Sequence, residues 1–212
     1  MSDAVEAHAL DTFPRLLLHH ATVRGDRPAI REKDYGIWQT WTWRQVLEEA
    51  RLLACGLAAE GFRRGQHLAI IGENRPRLYW AMVATQALGG IPVPLYQDAA
   101  VQEMGYVFRN AEIAYAIVED QEQVDKLLEI LPECPFLKHI YYDDPRGLRH
   151  YTQPELKCFE ALQALGRAFD RQHPAFFLHE IAKGRGGDTA ALFYTSGTTG
   201  NPKEGLKKPR FS

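Results

Sequence analysis

Apolar residues follow two different spacings along the chain, and the two spacings alternate. Between residues 46 and 58 they recur every three or four positions, which predicts an amphipathic helix. Residues 65–72 instead form a short continuous apolar run, which is typical of a buried strand. The alternation continues to about residue 143. Strands separated by helices of this length predict an α/β fold, with a mostly parallel sheet and helices on both faces.

The same spacing predicts the individual elements. Helices are expected over about residues 11–24, 43–60, 74–88, 101–110, 121–131, 154–169 and 175–182. Strands are expected over about residues 29–31, 39–42, 65–72, 113–118, 139–143 and 189–194. The segment 91–95 is also extended, but it contains Pro92 and Pro94. Proline cannot donate to a strand ladder, so this segment is expected at a sheet edge.

Two helix starts carry capping signals. Thr42 and Gln45 have the spacing of a capping box, in which each side chain bonds the backbone amide of the other residue. Asn74 is expected to cap the next helix, with Pro76 in its first turn, where proline costs no hydrogen bond.

Composition narrows the function classes. The net charge of −2 gives no electrostatic basis for binding nucleic acid. No apolar run approaches the length needed to span a bilayer, and the N-terminus lacks the basic and apolar regions of a signal peptide. A cytoplasmic location is therefore expected, with peripheral membrane contact left open. Cys55, Cys134 and Cys158 are widely spaced and are interpreted as reduced thiols.

The segment from Tyr194 to Lys203 combines glycines, small hydroxyl residues and one lysine directly after a predicted strand. Glycine allows a backbone to approach an anion closely, and hydroxyls and lysine add donors and positive charge. The sequence therefore predicts a phosphate-binding loop. Its candidate residues are Thr195, Ser196, Gly197, Thr198, Thr199, Gly200 and Lys203.

This loop differs from two common phosphate motifs. A Walker A motif needs Gly before its Lys and Ser or Thr after it, whereas Pro202 and Glu204 flank Lys203. The chain also has no G-x-G-x-x-G fingerprint. A second segment, Lys183–Gly187, is basic and rich in glycine, and is interpreted as a solvated linker or as a further anion site.

The string Y-T-S-G-T-T-G-N-P-K resembles the signature loop of the adenylate-forming, or AMP-binding, superfamily. This superfamily includes acyl-CoA synthetases, luciferases and the adenylation domains of peptide synthetases. The resemblance implies that the seven candidate residues hold the phosphates of ATP, that Thr195 contacts Mg²⁺, and that CoA is a further substrate. It also implies that this chain forms the N-terminal part of the large domain.

Two further strings resemble the long-chain acyl-CoA synthetases. They are Ile71-Gly72-Glu73-Asn74-Arg75-Pro76 and Val93-Pro94-Leu95-Tyr96. The resemblance implies ATP-dependent adenylation of a fatty acid followed by thioester formation with CoA. Because the acid-binding residues of the family lie further along its sequence, an enzyme for an aryl, amino or short-chain acid remains an alternative.

The resemblance is expected to end at Lys203. Residues 1–203 are interpreted as a partial AMP-binding domain, and residues 204–212 as a non-homologous tail. Within this tail, residues 207–210 are expected to form neither a strand nor a buried helix. Family members place the adenine pocket, the acyl tunnel and the catalytic lysine beyond this point. These residues are therefore expected to be an N-terminal fragment that is inactive alone and contains no catalytic residue. The alternative is a non-enzymatic paralogue that binds nucleotide weakly or pairs with a synthetase. The oligomeric state is left open.

Overall fold

The structure is a computed structural model that describes residues 10–195 and 203–207, with the backbone alone for residues 195 and 203–207. The helices are α1 (Phe13–Val23), α2 (Trp43–Ala59), α3 (Pro76–Ala87), α4 (Val101–Asn110), α5 (Gln121–Ile130), α6 (Phe159–Gln172) and α7 (Phe176–Lys183). The strands are β1 (Pro28–Asp34), β2 (Ile37–Thr42), β3 (His67–Ile71), β4 (Ile91–Leu95), β5 (Tyr115–Val118), β6 (His139–Tyr142), β7 (Leu156–Cys158), β8 (Ala191–Thr195) and β9 (Lys203–Lys207). A single 3-10 turn, Leu131–Glu133, follows α5.

The centre of the fold is a five-stranded sheet in the order β4-β3-β5-β6-β7. All four strand pairs in it are parallel. Two antiparallel hairpins, β1-β2 and β8-β9, accompany it. The predicted α/β class with a mostly parallel sheet is confirmed.

The two faces of the sheet carry separate cores, and alternate residues of β3 show why. Leu68 and Ile70 pack into a cluster that also contains residues of α1, α2, α3, α6 and α7. Ala69 and Ile71 pack into a second cluster with residues of α4 and α5. Successive side chains of a strand point to opposite faces, so a continuous apolar strand requires helices on both sides.

The capping box of α2 is present as expected. Thr42 Oγ1 accepts from the Gln45 amide at 3.3 Å, and Gln45 Oε1 accepts from the Thr42 amide at 2.8 Å. The expected cap of α3 is wrong. Arg75 occupies the N-cap position without a side-chain bond, and Asn74 lies one residue further out. Its Oδ1 accepts a hydrogen bond from the Tyr79 hydroxyl at 3.1 Å instead.

The predicted helix over 154–169 starts too early. Leu156–Cys158 forms β7, which pairs in parallel with β6, and α6 begins only at Phe159. A strand of three residues is too short to produce a visible two-residue alternation. The apolar spacing of the following helix therefore extended the predicted helix over it.

The edge position predicted for β4 is confirmed, since β4 ends the five-stranded sheet and pairs within it only with β3. On its other side β8 packs against it. The adjacent carbonyl of Ala190 accepts a hydrogen bond from Gln86 Nε2 of α3 at 2.7 Å. The tail begins within a strand, since Lys203–Lys207 pairs with β8. Of the segment 207–210, for which no strand was expected, Lys207 ends this strand, and residues 208–210 lie outside the described residues. This strand forms through backbone pairing with β8. Its sequence is mostly polar and lacks the apolar alternation from which a strand is predicted.

Candidate functional site: a hairpin beside the carboxyl ends of the sheet

The predicted phosphate loop connects the two strands of the β8-β9 hairpin. The register runs from Ala191 opposite Lys207 to Thr195 opposite Lys203. Directly opposed residues of an antiparallel pair have Cα atoms about 4.5–5.5 Å apart. The structure therefore brings Thr195 and Lys203, the two ends of the candidate site, next to one another. The other five candidates, Ser196, Gly197, Thr198, Thr199 and Gly200, lie outside the described residues.

Strand β8 is fixed to the body of the fold by alternate side chains. Leu192 and Tyr194 are buried in the same core cluster as Val93 of β4. The Tyr194 hydroxyl also donates to Asn110 Oδ1 at 2.5 Å. Phe193, between them, is partly exposed and lines a cleft. The loop therefore leaves a strand whose position is determined by packing on both the sheet and α4.

A cleft of about 790 Å³ lies beside the hairpin. Its walls include Phe193 of β8, Ile70 near the carboxyl end of β3, and the residues that follow β4. Tyr79 and Tyr96 are exposed at this cleft. Open parallel sheets bind ligands outside the carboxyl ends of their strands. The cleft therefore has the location expected of a small-molecule site, and β8, the strand that leads into the predicted loop, lines it through Phe193 and Tyr194.

Arg75 joins three elements at the same end of the sheet. Its Nε lies 3.1 Å from Glu119 Oε1, and its Nη1 lies 3.0 Å from Glu32 Oε1 of β1. Glu119 also accepts from the Glu73 amide at 2.5 Å. The hydrogen bonds that Arg75 donates to Glu32 and Glu119 raise its pKa above the ordinary value. This arginine therefore fixes the β1-β2 hairpin to the carboxyl end of the sheet.

Arg77, two residues further along, has a similar role. Its Nη1 lies 2.5 Å from Asp143 Oδ1 and 2.7 Å from Glu160 Oε1. Burial raises the pKa of Asp143, and the charge of Arg77 opposes that change. Arg75 and Arg77 are thus both bonded to carboxylates and offer little free positive charge to a phosphate.

The sequence analysis missed both arginine clusters. Arg75 and its partner Glu119 are 44 positions apart, and only the strand order makes them neighbours. One signal was available, because Glu73 and Glu119 each come shortly after a predicted buried strand. Carboxyl ends of parallel strands share one edge, so charged residues there were candidates for contact.

Replacing Arg75 with methionine is expected to destabilise the fold by about 1–2 kcal/mol, because hydrogen bonds between charged groups are lost and three nearby carboxylates keep their charge. Arg44→Met is the matched control, since the Arg44–Asp26 pair is highly exposed and such pairs contribute little. Urea unfolding of the two variants measures the difference. Equal stabilities would contradict the role given to Arg75.

The glycine-rich segment Lys183–Gly187 does not resemble an anion site in the structure. The Gly186 amide donates to Asp11 Oδ2 at 2.8 Å, and the Arg185 amide donates to Asp188 Oδ2 at 2.9 Å. Carboxylates already occupy the donors that an anion would need. This favours the linker interpretation.

Residues 10–195 and 203–207 contain no group of three or more His, Cys, Asp or Glu side chains arranged to hold a metal ion. The Thr195 hydroxyl stays the predicted Mg²⁺ contact. Within the same ranges, none of the helices has the length and apolar character needed to cross a bilayer.

Known proteins resemble this chain over nearly all of its length. The chain is 30% identical to the long-chain-fatty-acid–CoA ligase ACSBG2 of Xenopus laevis over 195 residues, which cover 91% of this chain and 25% of that protein. It is also 30% identical to ACSBG1 of Rattus norvegicus, with 84% and 24% covered. The chain thus spans about a quarter of the length of these relatives.

The fold is likewise shared with solved structures. The anthranilate CoA ligase AuaEII, in complex with anthranoyl-AMP, superposes with a TM-score of 0.76 at 23% identity, covering 92% of this chain and 34% of that one. The model of the family described as AMP-binding enzyme matches residues 17–204, which include Thr195 and Lys203. The chain belongs to the AMP-binding enzyme family.

Proposed function

We propose that this chain provides the ATP-phosphate-binding segment of a long-chain fatty acid–CoA ligase. The reaction of such an enzyme joins ATP and a fatty acid to give acyl-AMP and pyrophosphate, and CoA then displaces AMP to form the thioester. The observation that carries the proposal is the β8-β9 hairpin. It places Thr195 and Lys203 opposite each other at the two ends of the glycine- and hydroxyl-rich loop.

Each part of the loop has a role that follows from its chemistry. Backbone amides near Gly197 and Gly200 donate to phosphate oxygens, because glycine lets the backbone come close. The hydroxyls of Thr195, Ser196, Thr198 and Thr199 add further donors. Lys203 supplies the positive charge, and Thr195 contributes a hydroxyl to Mg²⁺ when the metal accompanies ATP.

The substrate class follows from the relatives. Two relatives that are 30% identical to this chain are named as long-chain-fatty-acid–CoA ligases. The likeness to the anthranilate ligase is at 23% identity and supports the fold alone. A fatty acid is therefore the preferred carboxylate, and an aryl acid is the less supported choice.

A binding role without catalysis is the second candidate, because a phosphate loop supplies only part of what adenylation needs. Adenylation requires both reactants to be oriented and the developing charge on phosphorus to be stabilised from several sides. On this proposal the 212 residues bind ATP weakly through the loop.

The Lys203→Ala variant tests the proposed phosphate contact. Losing a hydrogen bond to a charged group costs roughly 1.5–3 kcal/mol, which corresponds to about a tenfold or greater loss of ATP affinity. Lys207→Ala is the control, because Lys207 lies on the same strand about 13 Å further along. Isothermal titration calorimetry with Mg·ATP measures the ATP affinity of both variants and of the unmodified chain. An equal loss in the two, or none in Lys203→Ala, would contradict the proposal.

A further inference from the structure

The tip of the β1-β2 hairpin exposes three large apolar side chains, and the hydroxyl of one of them, Tyr35, accepts a hydrogen bond from Arg146 Nη1 at 3.5 Å. Tyr35 is 84% exposed, Ile37 is 65% exposed and Trp38 is 57% exposed. Tyr35 and Gly36 form the turn with positive φ values of 46° and 81°. A β-carbon added at Gly36 would have no described atom within 4 Å, so the turn projects into open space.

One face of the hairpin combines Trp38 of this tip with positive charge, while Ile37 pairs with Asp34 and lies on the opposite face. Lys33 pairs with Trp38 and Arg31 with Thr40 in the strand register, so these residues share one face. The Arg31 guanidinium carbon lies 5.0 Å from the centroid of the Trp38 ring, in a cation–π arrangement. Neither Arg31 nor Lys33 has a salt bridge to another described residue. Asp34, on the opposite face, is the one carboxylate at the tip itself.

We propose that this hairpin tip binds the surface of a lipid bilayer that contains anionic headgroups. Trp and Tyr favour the membrane–water interface, where the ring is partly buried and its polar atom stays hydrated. Lys and Arg near the surface are attracted to anionic lipids. Arg31 and Lys33 beside Trp38 supply both components on one exposed element.

The shape of the tip favours a membrane over a protein partner. A stable protein interface buries about 800 Å² on each side. Buried aromatic side chains contribute about 150–250 Å² each, and the tip offers only two of them and one isoleucine. A narrow convex turn with so few side chains is too small for such an interface. Insertion of a few side chains into a bilayer surface does not require a matching partner surface.

The proposal rests on the hairpin and stands independently of ATP binding. If the ligase function also holds, the tip would keep the cleft near the membranes in which fatty acids dissolve, since Arg31 and Lys33 also line that cleft. Membrane binding and nucleotide binding involve different residues, so either one can fail without the other.

Vesicle flotation of the 212-residue chain tests the proposal, with phosphatidylcholine vesicles and with vesicles that also contain a quarter phosphatidylglycerol. We expect binding to the mixed vesicles that weakens with added salt. The Arg31→Gln/Lys33→Gln double variant should bind them roughly tenfold or more weakly. The Ile37→Ser/Trp38→Ser variant should lose binding to both kinds of vesicle.

Leu178→Ser is the matched control, because Leu178 of α7 is 52% exposed and lies on another element. Its vesicle binding should stay within twofold of the unmodified chain, and thermal melts should show that all variants fold. Quenching of tryptophan fluorescence by brominated lipids is a second readout, and it does not require the tip to be altered. The part of the quenching that comes from Trp38 should be lost in Trp38→Phe. No vesicle binding, binding that survives the tip variants, or tip-dependent self-association without lipid would overturn the proposal.

Discussion

The Gly166→Ala variant is expected to unfold several degrees below the unmodified chain. A β-carbon at Gly166 in α6 would lie 1.9 Å from the Leu52 carbonyl oxygen of α2. At Gly56 in α2 it would lie 2.4 Å from the Leu162 carbonyl oxygen of α6. The two helices therefore cross with their backbones in contact. An added methyl group must force them apart, which costs about 1–3 kcal/mol or more.

The matched control for this prediction is Gly105→Ala in α4. Gly105 is also a buried helical glycine, but its added β-carbon would first meet Arg109 Nη1 at 3.2 Å and Ile130 Cγ2 at 3.4 Å. These are ends of side chains that can shift. Alanine also gains up to about 1 kcal/mol of helix propensity over glycine. Thermal unfolding of both variants should separate them clearly, and similar melting temperatures would contradict the close helix crossing.

A polypeptide of these 212 residues is expected to form no detectable palmitoyl-CoA from ATP, CoA and palmitate. The loop is proposed to bind phosphate, but orientation of the acid and stabilisation of the charge on phosphorus need groups on several sides. A coupled AMP-release assay, with thioester detection by mass spectrometry, measures the product. Turnover in the range typical of enzymes, about 1–1,000 per second, would mean that the loop belongs to a complete and smaller enzyme.

Most of the fold was predictable because helices and strands leave different spacings. The capping box and the apolar face of α2 predicted this helix from the sequence, and both are present in the structure. The two prolines of β4 correctly indicated an edge strand. Burial of β3 on both faces explains its continuous apolar run. These signals depend only on neighbouring residues, so they can be recognised without knowing how the rest of the chain folds.

The features that sequence reasoning missed depend on contacts distant in sequence. The crossing of α2 and α6 needs Gly56 and Gly166 to meet, and neither glycine alone predicts a partner. The pairing of Arg75 with Glu32 and Glu119 depends on strand order. The early start assigned to α6 came from reading a three-residue strand as part of a helix.

In the candidate site, too, local signals were predictable and pairing between strands was not. The glycines, hydroxyls and Lys203 of the loop predicted its chemistry. The antiparallel strand that returns Lys203 to Thr195 was not, because Lys203–Lys207 lacks the apolar alternation of a half-buried strand. The seven-residue assignment itself stays a prediction, and the structure adds the geometry at its two ends.

A titration of ¹⁵N-labelled chain with Mg·ATP, followed by amide chemical shifts, tests the central claim most directly. The account predicts shifts concentrated in residues 195–203, above all at Gly197 and Gly200, with little change at Lys183–Gly187. The Lys203→Ala variant should reduce them at the same ATP concentration. Saturating ATP that leaves 195–203 unchanged, or shifts that concentrate at Lys183–Gly187, would contradict the claim that this loop binds phosphate.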